Sequence, residues 1–317
     1  MPDEDLRCDP ATFWCLSGAT AAGKTAIGLA LAQRLEAEVL SLDSMAVYRG
    51  MDIGTAKPTA EQRRAVPHHL IDLVDPKEEF SVAQYLQLAA DRVREIRGRG
   101  KQALFVGGTP LYLKCLLRGL FEGPPADWQL RQAIEAELQQ HGAEVLHQRL
   151  TQVDPVAAAA IHPNDTRRLV RALEVYQATG EPISHQQMEF EDACPAEACR
   201  VFVLRRDRAE QHRRIEQRVE KMIEEGLVEE TRQLVAGNRQ LGRTASQAVG
   251  YREVLDHLDG EFDESEMIER IKARTRRFSK RQGTWFRSLS ECRFIDLTDD
   301  DSPTEVADRI YAAGCDD

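Results

Sequence analysis

The stretch that decides the fold of this chain is Ser17-Gly-Ala-Thr-Ala-Ala-Gly-Lys-Thr25. Its spacing matches the phosphate-binding loop (P-loop) pattern GxxxxGK(S/T), between an apolar run at Phe13–Ser17 and a helical pattern at Lys24–Glu36. In such a loop, backbone N–H groups surround phosphate oxygens, and the helix N-terminus adds a partial positive charge. The predicted phosphate-binding residues are Gly18, Ala19, Thr20, Ala21, Ala22, Gly23, Lys24 and Thr25.

The loop pattern predicts a bound polyphosphate but leaves its identity open. Lys24 supplies a point charge, and the hydroxyl of Thr25 is placed to bind Mg²⁺. An ATPase is expected to carry an apolar strand that ends in a metal-binding Asp, whereas the candidate strand here ends in Gly107-Gly108-Thr109. The Asn-Lys-x-Asp motif with which GTPases read the base is also missing from the sequence. The sequence therefore lacks two motifs that are expected of proteins that bind ATP or GTP.

Composition restricts the class of protein. The chain of 317 residues is 42% hydrophobic and has a net charge of −11, which argues against a protein that coats nucleic acid. The charge is uneven, because Arg270–Arg287 holds eight Lys and Arg residues and no acidic ones. No apolar run approaches the roughly 18 residues of a membrane span, so we expect neither membrane association nor a signal peptide. Seven scattered cysteines fit a reducing, cytoplasmic location.

Strand and helix patterns alternate along the chain, which predicts a parallel α/β sheet. Besides the run before the loop, strands are expected at Glu38–Leu42, Gln102–Val106, Arg200–Arg205 and Arg293–Leu297, with a short strand or loop edge at Leu70–Val74. Helices are expected at Ser81–Arg97 with Ser81 as N-cap, and at Glu210–Glu225, Val228–Ala236, Glu264–Gln282 and Pro303–Ala313. Between Asp127 and Gln187 the pattern is almost wholly helical. We therefore predict a P-loop-type parallel sheet core, residues 1–119 and 200–317, with an inserted all-helical lobe at residues 120–199.

An acidic residue follows the second predicted strand. Asp43 ends the strand Glu38–Leu42, and ligands of parallel sheets bind at this edge. Its carboxylate can ligate Mg²⁺ or act as a general base. A carboxylate that only caps the following turn is the third alternative.

Several longer segments carry a family resemblance. The segment Asp43–Pro58 (DSMAVYRGMDIGTAKP) resembles a signature of the tRNA dimethylallyltransferases. Further matching segments are Gly107–Leu113 (GGTPLYL), Asn164–Tyr176 (NDTRRLVRALEVY), Gly250–Glu253 (GYRE) and Thr275–Arg287 (TRRFSKRQGTWFR). The resemblance extends over nearly the whole chain, which is similar to the shorter, bacterial type because it lacks a C-terminal zinc-finger spacing.

The resemblance implies an activity. Members of this family transfer a dimethylallyl group from dimethylallyl diphosphate to N6 of the adenosine 3′-adjacent to the anticodon, with Mg²⁺, and release pyrophosphate. The implied partners are therefore the donor and the anticodon stem-loop of tRNA, and we expect a monomer. On this interpretation the P-loop holds the diphosphate of an isoprenoid.

Two alternatives belong to other classes, and a third is a close relative within the same class. A P-loop small-molecule kinase using ATP would employ the helical lobe as a lid. A non-catalytic RNA-binding protein would explain the basic segment but not the combination of Lys24, Thr25 and Asp43. A prenyltransferase that acts on free adenine nucleotides would need no inserted lobe.

The resemblance also implies which residues form the site. Asp43 matches the catalytic Asp of the family, and Thr109 matches a residue that contacts the target nucleotide. Arg218, four residues after Arg214, is expected at the diphosphate, with an Arg–Glu lattice on the helix surface as the alternative. The residues expected to contact tRNA are Asp43, Ser44, Met45, Ala46, Thr109, Arg131, Arg167, Arg168, Leu169, Val170 and Arg171.

Two basic regions have competing explanations. The helix around Arg167 and Arg171 is expected to contact tRNA phosphates, or else to pair internally with Asp165 and Glu174. The eight basic residues of Arg270–Arg287 are expected to neutralise tRNA phosphates. The aromatic residues among them, Phe278, Trp285 and Phe286, are expected to pack in the core.

Overall fold

The computed structural model describes residues 10–120, 123–124, 127–187, 194–237 and 240–315. The strands are β1 (Trp14–Gly18), β2 (Ala37–Leu42), β3 (His68–His69), β4 (Gln102–Gly107), β5 (Val201–Arg206) and β6 (Arg293–Leu297). They form one six-stranded sheet in the order β3-β2-β4-β1-β5-β6. Each neighbouring pair is parallel. The predicted fold class, a parallel α/β core of the P-loop type, is confirmed.

Helices fill the connections between the strands. The helices of the sheet-containing unit are α1 (Lys24–Leu35), α2 (Ala60–Ala65), α3 (Val82–Gly98), α4 (Pro110–Arg118), α10 (Arg208–Glu224), α11 (Leu227–Leu234), α12 (Tyr251–Leu258), α13 (Glu264–Arg287) and α14 (Pro303–Cys315). The remaining helices are α5 (Trp128–His141), α6 (Ala143–Val153), α7 (Pro155–Ala160), α8 (Thr166–Thr179) and α9 (Ile183–Gln187). None of the described helices is long and apolar enough to cross a membrane.

Local sequence explains the helices that position the site. The apolar residues of α1 that recur at helical spacing, Ile27, Leu31 and Leu35, are buried in the core against the sheet. Helix α3 begins with the predicted cap, because the Ser81 side chain accepts the backbone N–H of Gln84 at 3.2 Å. Gln84 Oε1 accepts the backbone N–H of Ser81 in return.

The structure decides one local prediction and corrects another. The segment Leu70–Val74 is the loop edge and not a strand, because Leu70 and Asp72 have φ angles of 61° and 57°, which a strand does not accommodate; the short strand precedes it at His68–His69. Helix α13 continues to Arg287 instead of ending at Gln282, since Phe286 extends its buried face.

The chain divides into two compact units, Met1–Gly119 with Ala193–Asp317, and Leu120–Asp192. The prediction ended the inserted lobe at residue 199, whereas residues 193–199 group with the sheet-containing unit. Contacts within that unit explain the difference, because Cys199 is fully buried and Arg293 of β6 donates to the carbonyl oxygens of Ala196 and Glu197. That the second unit binds tRNA stays a prediction.

Each unit has its own apolar core. In the helical unit, residues of α5, α6 and α8 such as Ile134, Leu146 and Leu173 pack together. In the sheet-containing unit, a second cluster joins the segment after β2 to the C-terminal helices, for example Tyr48 to Tyr251. This cluster holds the Asp43–Pro58 segment in place beside the sheet edge.

Candidate active site

The phosphate-binding loop lies at the carboxyl end of β1 and leads directly into α1. Gly23 is the N-cap of α1 with φ of 104°, a conformation that residues with a Cβ rarely adopt. The carbonyl of Gly23 accepts the N–H of Ile27, so the N–H groups of Lys24, Thr25 and Ala26 have no partner within the helix. These groups and the helix dipole form a cradle for an anion.

Side chains from distant parts of the chain hold the outer face of this loop. Five consecutive carbonyl oxygens each accept a hydrogen bond: Lys24 Nζ donates to Gly18 and Ala19 (2.9 Å each), Gln211 to Thr20, Arg214 Nε to Ala21 (3.0 Å) and Arg206 Nε to Ala22 (3.1 Å). Bound carbonyls are kept out of the cradle, where their negative ends would repel a phosphate. The loop is therefore organised for an anion before one binds.

One carboxylate shares the cavity with Lys57, which pairs with Asp52 and Asp72, and with three further cations. Lys24, Arg214 and Arg218 line it together with Asp43. Burial and, to a smaller extent, the Arg218 guanidinium lower the pKa of Lys24 to about 8, while Asp43 opposes the shift. Burial also lowers the pKa of Arg218, again opposed by Asp43. Because the cations outnumber the carboxylate, the cavity favours a ligand of high negative charge.

Asp43 both caps a turn and lines the cavity. Its Oδ1 accepts the backbone N–H groups of Met45 at 2.8 Å and Ala46 at 3.4 Å, which is the capping role considered from the sequence. No hydrogen bond from the described residues reaches Oδ2. One oxygen thus fixes the carboxylate while the other is left for chemistry.

Thr109 joins the ends of two neighbouring strands. Its backbone N–H donates to the carbonyl of Leu42 at 3.1 Å. Its hydroxyl accepts the backbone N–H of Ser44 at 3.0 Å and lies 3.5 Å from the Ser44 hydroxyl. The structure therefore brings Thr109 beside the residue that follows Asp43, although Thr109 is not among the residues that line the cavity.

The cavity has a volume of about 420 Å³ and combines two kinds of wall. The cations and the phosphate-binding loop form the charged wall. Apolar side chains form another: Ala26, Leu29, Val39, Ala46, Pro58, Ile71 and Val106. A cavity with both walls fits an ester of diphosphate with a small apolar group.

The cavity residues also fit a magnesium ion bound mainly by its ligand. Thr25 lines the cavity near the start of α1 and is exposed, so its hydroxyl is accessible. Among the described residues no group of three or more His, Cys, Asp and Glu side chains could hold a metal. Mg²⁺ usually takes only one or two protein oxygens and completes its shell with phosphate oxygens and water. Thr25 satisfies that requirement.

Comparison with known proteins decides the family. The family model for IPP transferases matches residues 46–289 of this chain. The chain belongs to the IPP transferase family. A curated tRNA dimethylallyltransferase of Rhodopirellula baltica is 50% identical over 92% of this chain and 90% of that protein.

Solved structures show the same relationship. The tRNA isopentenylpyrophosphate transferase of Bacillus halodurans is 40% identical, with a TM-score of 0.67 over 96% of each chain. A eukaryotic dimethylallyltransferase, crystallised acting on tRNA, is 29% identical, with a TM-score of 0.73 over 90% of this chain and 74% of its own.

Arg218 is the arginine that the sequence predicts at a diphosphate. It lines the cavity, and among the described residues it makes no ion pair or hydrogen bond. The glutamates that an Arg–Glu lattice would use are taken by α13 instead, because Arg276 binds Glu216 and Lys272 binds Glu220. Arg214, the other arginine of this pair, also faces the cavity while it holds the loop.

Sequence reasoning missed several residues that shape this site. Arg206, Gln211 and Gln282 all contact the phosphate-binding loop but lie far from it in the sequence. One of them had a detectable signal. Gln282 lies on the otherwise apolar or small-residue face of α13, between Ser279 and Phe286, where an unpartnered amide would be costly.

In the helical unit, the arginines predicted to contact tRNA divide into paired and unpaired ones. Glu174 is buried and accepts Arg131 Nη2 at 2.7 Å and Arg171 Nη1 at 3.1 Å. Arg168 lies 3.5 Å from Asp165. Arg167 is exposed and makes no ion pair with any described residue. The internal-pairing alternative thus holds for Arg168 and Arg171, and Arg131 shares the glutamate of Arg171. The contact of Arg167 with a tRNA phosphate stays a prediction.

The side chains of two other residues predicted to contact tRNA are buried. Leu169 and Val170 are 0% and 4% exposed and belong to the apolar core of the helical unit. Period-3.6 spacing explains this, because residues between the arginines on α8 turn toward the opposite face.

The basic segment is also partly neutralised within the protein. Arg270, Lys272, Arg274 and Arg276 each pair with a glutamate. Arg277, Lys280, Arg281 and Arg287 are exposed and make no ion pair with a described residue. Phe286 is fully buried, as predicted, and Phe278 and Trp285 are half-buried. At most half of the basic segment is therefore free to neutralise phosphates.

Proposed function

We propose that this protein transfers a dimethylallyl group from dimethylallyl diphosphate to N6 of the adenosine 3′-adjacent to the anticodon of tRNA, releasing pyrophosphate. The observation that carries the proposal is one cavity in which Lys24, Arg214 and Arg218 face Asp43 beside an apolar wall. Membership of the IPP transferase family supports the choice of substrates. The names of the similar proteins support tRNA as the acceptor.

The proposed reaction is a displacement at C1 of the dimethylallyl group. The lone pair of N6 forms a bond to C1, and the C1–O bond breaks. Its electron pair leaves with pyrophosphate, and one proton leaves N6. Charge develops on the leaving oxygen, where the loop N–H groups, Lys24 and Arg218 stabilise it.

Mg²⁺ belongs to the proposal because the cavity residues fit it. Bound by Thr25 and the donor, it would neutralise charge on the departing pyrophosphate. The proposed roles of Asp43, Thr109 and the dipole of α1 do not involve the metal ion.

The carboxylate of Asp43 acts on the acceptor. The exocyclic amine of adenine is a weak nucleophile, because its lone pair is delocalised into the ring. Asp43 Oδ2 orients N6 by accepting its hydrogen bond and receives the proton as the new bond forms. Thr109 keeps the turn after Asp43 in place through its bond to Ser44.

The acceptor base has to leave the anticodon stack to reach a cavity of this size. The surfaces that we assign to tRNA phosphates are the exposed cations Arg167, Arg277, Lys280, Arg281 and Arg287. We further propose a monomer that works in the cytoplasm, supported by the free thiol state of the six described cysteines.

One incubation tests the activity. Purified protein, Mg²⁺ and unmodified tRNA with adenosine 3′ of the anticodon receive radiolabelled dimethylallyl diphosphate, and a parallel reaction receives labelled ATP. Label in tRNA from the isoprenoid alone is the expected result. A protein that instead moves phosphate from ATP, with no label entering tRNA, is a kinase, and the proposal is then wrong. Lys24→Ala serves as the matched variant, expected to lose donor use at limiting concentration.

A further inference from the structure

A glutamine from the C-terminal helix connects the two halves of the candidate active site. Gln282 is 4% exposed and lies on α13, 262 residues after Thr20 and 174 residues after Gly108. Its Oε1 accepts the backbone N–H of Thr20 at 2.9 Å. Its Nε2 donates to the carbonyl of Gly108 at 2.5 Å. One amide thus bridges two loops that are distant in sequence.

The two ends of this bridge serve different substrates in the proposed reaction. Thr20 belongs to the loop that cradles the donor diphosphate. Gly108 begins the turn to Thr109, whose hydroxyl holds Ser44 beside the carboxylate of Asp43. The bridge therefore connects the donor side of the cavity to the acceptor side.

The turn at Gly108 is shaped around the amide. A Cβ at this position would lie 2.9 Å from Gln282 Nε2 and 3.3 Å from Lys24 Nζ. Glycine thus leaves room for both side chains, and any larger residue here would press on them. The glutamine, the lysine and the turn form one packed contact rather than a chance hydrogen bond.

The neutral amide of Gln282 makes both bonds because it carries a donor and an acceptor. A carboxylate accepts but does not donate, an ammonium donates but does not accept, and a thioether does neither usefully. Because the side chain is buried, an amide atom left without its hydrogen bond would be costly. The position therefore suits a group that both donates and accepts.

We propose that Gln282 is a positioning residue that fixes the distance between the donor diphosphate and the acceptor carboxylate. The inference rests on the proposed transferase activity. Each substrate binds its own loop, so losing the bridge leaves both binding surfaces present but lets them shift relative to each other. A displacement of about 1 Å between reacting groups costs roughly 100-fold in rate. The loss therefore falls on turnover rather than on binding.

The test compares Gln282→Met with Gln87→Met. Methionine matches glutamine in length and lacks both hydrogen bonds, and Gln87 is an exposed residue of α3 that contacts Asp91. Three quantities are measured on the full-length protein: the single-turnover transfer rate at saturating substrates, the Kd of dimethylallyl diphosphate without tRNA, and the Kd of tRNA without donor. For Gln282→Met we expect a rate lower by about 10- to 100-fold with both Kd values within threefold. Gln87→Met should match the wild type.

Other outcomes overturn the inference. A rate within twofold of wild type would show that the bridge does not position the substrates. A rate loss matched by an equal loss of donor affinity would make Gln282 a support of the loop alone. Should Gln282→Met fail to fold, Gln282→Asn tests the same point, because its amide is too short to make both bonds and it should lose rate alike. Wild-type protein that transfers no label removes the proposed function and this inference together, whereas a failure confined to the variants removes only the inference.

Discussion

Lys24 should couple donor binding to protonation near pH 8. Its Nζ is buried, makes no ion pair with a described residue, and donates to the carbonyls of Gly18 and Ala19. Burial and the nearby Arg218 guanidinium lower its pKa to about 8 from an ordinary value of 10.5, with Asp43 opposing the shift. Only the ammonium form is expected to bind a diphosphate well, so raising the pH should weaken donor binding.

The size of the effect follows from the pKa. With a pKa of about 8, roughly 90% of Lys24 is charged at pH 7, about half at pH 8 and about a tenth at pH 9. If the charged form alone binds the donor, its Kd rises about tenfold between pH 7 and pH 9. Binding at pH 8 should then take up about half a proton, because the diphosphate restores the charged form of Lys24.

Neither His68 nor the donor obscures the titration of Lys24 between pH 7 and pH 9. The pKa of His68, which also lines the cavity, is lowered from 6.5 chiefly by burial, so its ring is neutral throughout. The diphosphate is already about 90% ionised at pH 7, since its last proton leaves near pH 6 as in other phosphate esters. Lys24 is therefore the group that this titration reports.

Isothermal titration calorimetry measures both quantities. The wild-type protein is titrated with dimethylallyl diphosphate at pH 7, 8 and 9 in two buffers of different ionisation enthalpy. Lys24→Arg is the control, because a guanidinium stays charged over this range and its Kd should not change with pH, whatever its value. A wild-type Kd that is constant within twofold, or a pH dependence that Lys24→Arg reproduces, would refute the reasoning.

The remaining predictions concern the acceptor carboxylate and the helical unit. Asp43→Asn keeps an oxygen that can cap the turn but removes the base, so single-turnover transfer should fall about 10²- to 10⁴-fold while both substrates still bind; near-normal transfer would exclude Asp43 as the base. Arg167→Ala should lower the slope of log K for tRNA against log salt by about one, and an unchanged slope would mean that Arg167 contacts no phosphate. Glu174→Ala leaves Arg131 and Arg171 without their shared carboxylate and should destabilise the full-length protein by about 3 kcal/mol in denaturant unfolding; a loss below about 1 kcal/mol would show that the pairs add little.

Local signals in the sequence predicted the parts of the site that are themselves local. The phosphate-binding loop is a continuous pattern, and the position of Asp43 follows from the edge of a parallel sheet. Both predictions needed only the order of strands and helices. The strand boundaries were also close, since β6 begins and ends at the predicted residues.

Contacts across long sequence separations could not be predicted in the same way. Gln282 meets Thr20 across 262 residues, and Gln211 meets the same residue across 191. No pattern within a helix states which loop its polar side chain will meet. The same limit applies to the pairing of Glu174 with Arg131, which depends on how α5 packs against α8. The pairing of Glu174 with Arg171 lies within α8, and the sequence offered it as an alternative.

The position of Asp43 explains how a protein with this phosphate-binding loop can catalyse an alkyl transfer. In an NTPase the acid at the end of the neighbouring strand binds the metal that activates a terminal phosphate. Here β4 ends in glycines and accepts the Gln282 amide, while the acid stands one strand further along, at the end of β2. An alkyl transfer activates no phosphate for attack; it has only to stabilise a departing diphosphate and receive one proton from the nucleophile. The cations beside the phosphate-binding loop stabilise the departing diphosphate, and the carboxylate of Asp43 at the end of β2 receives the proton. Gln282 lies between these two groups and keeps the distance between them fixed.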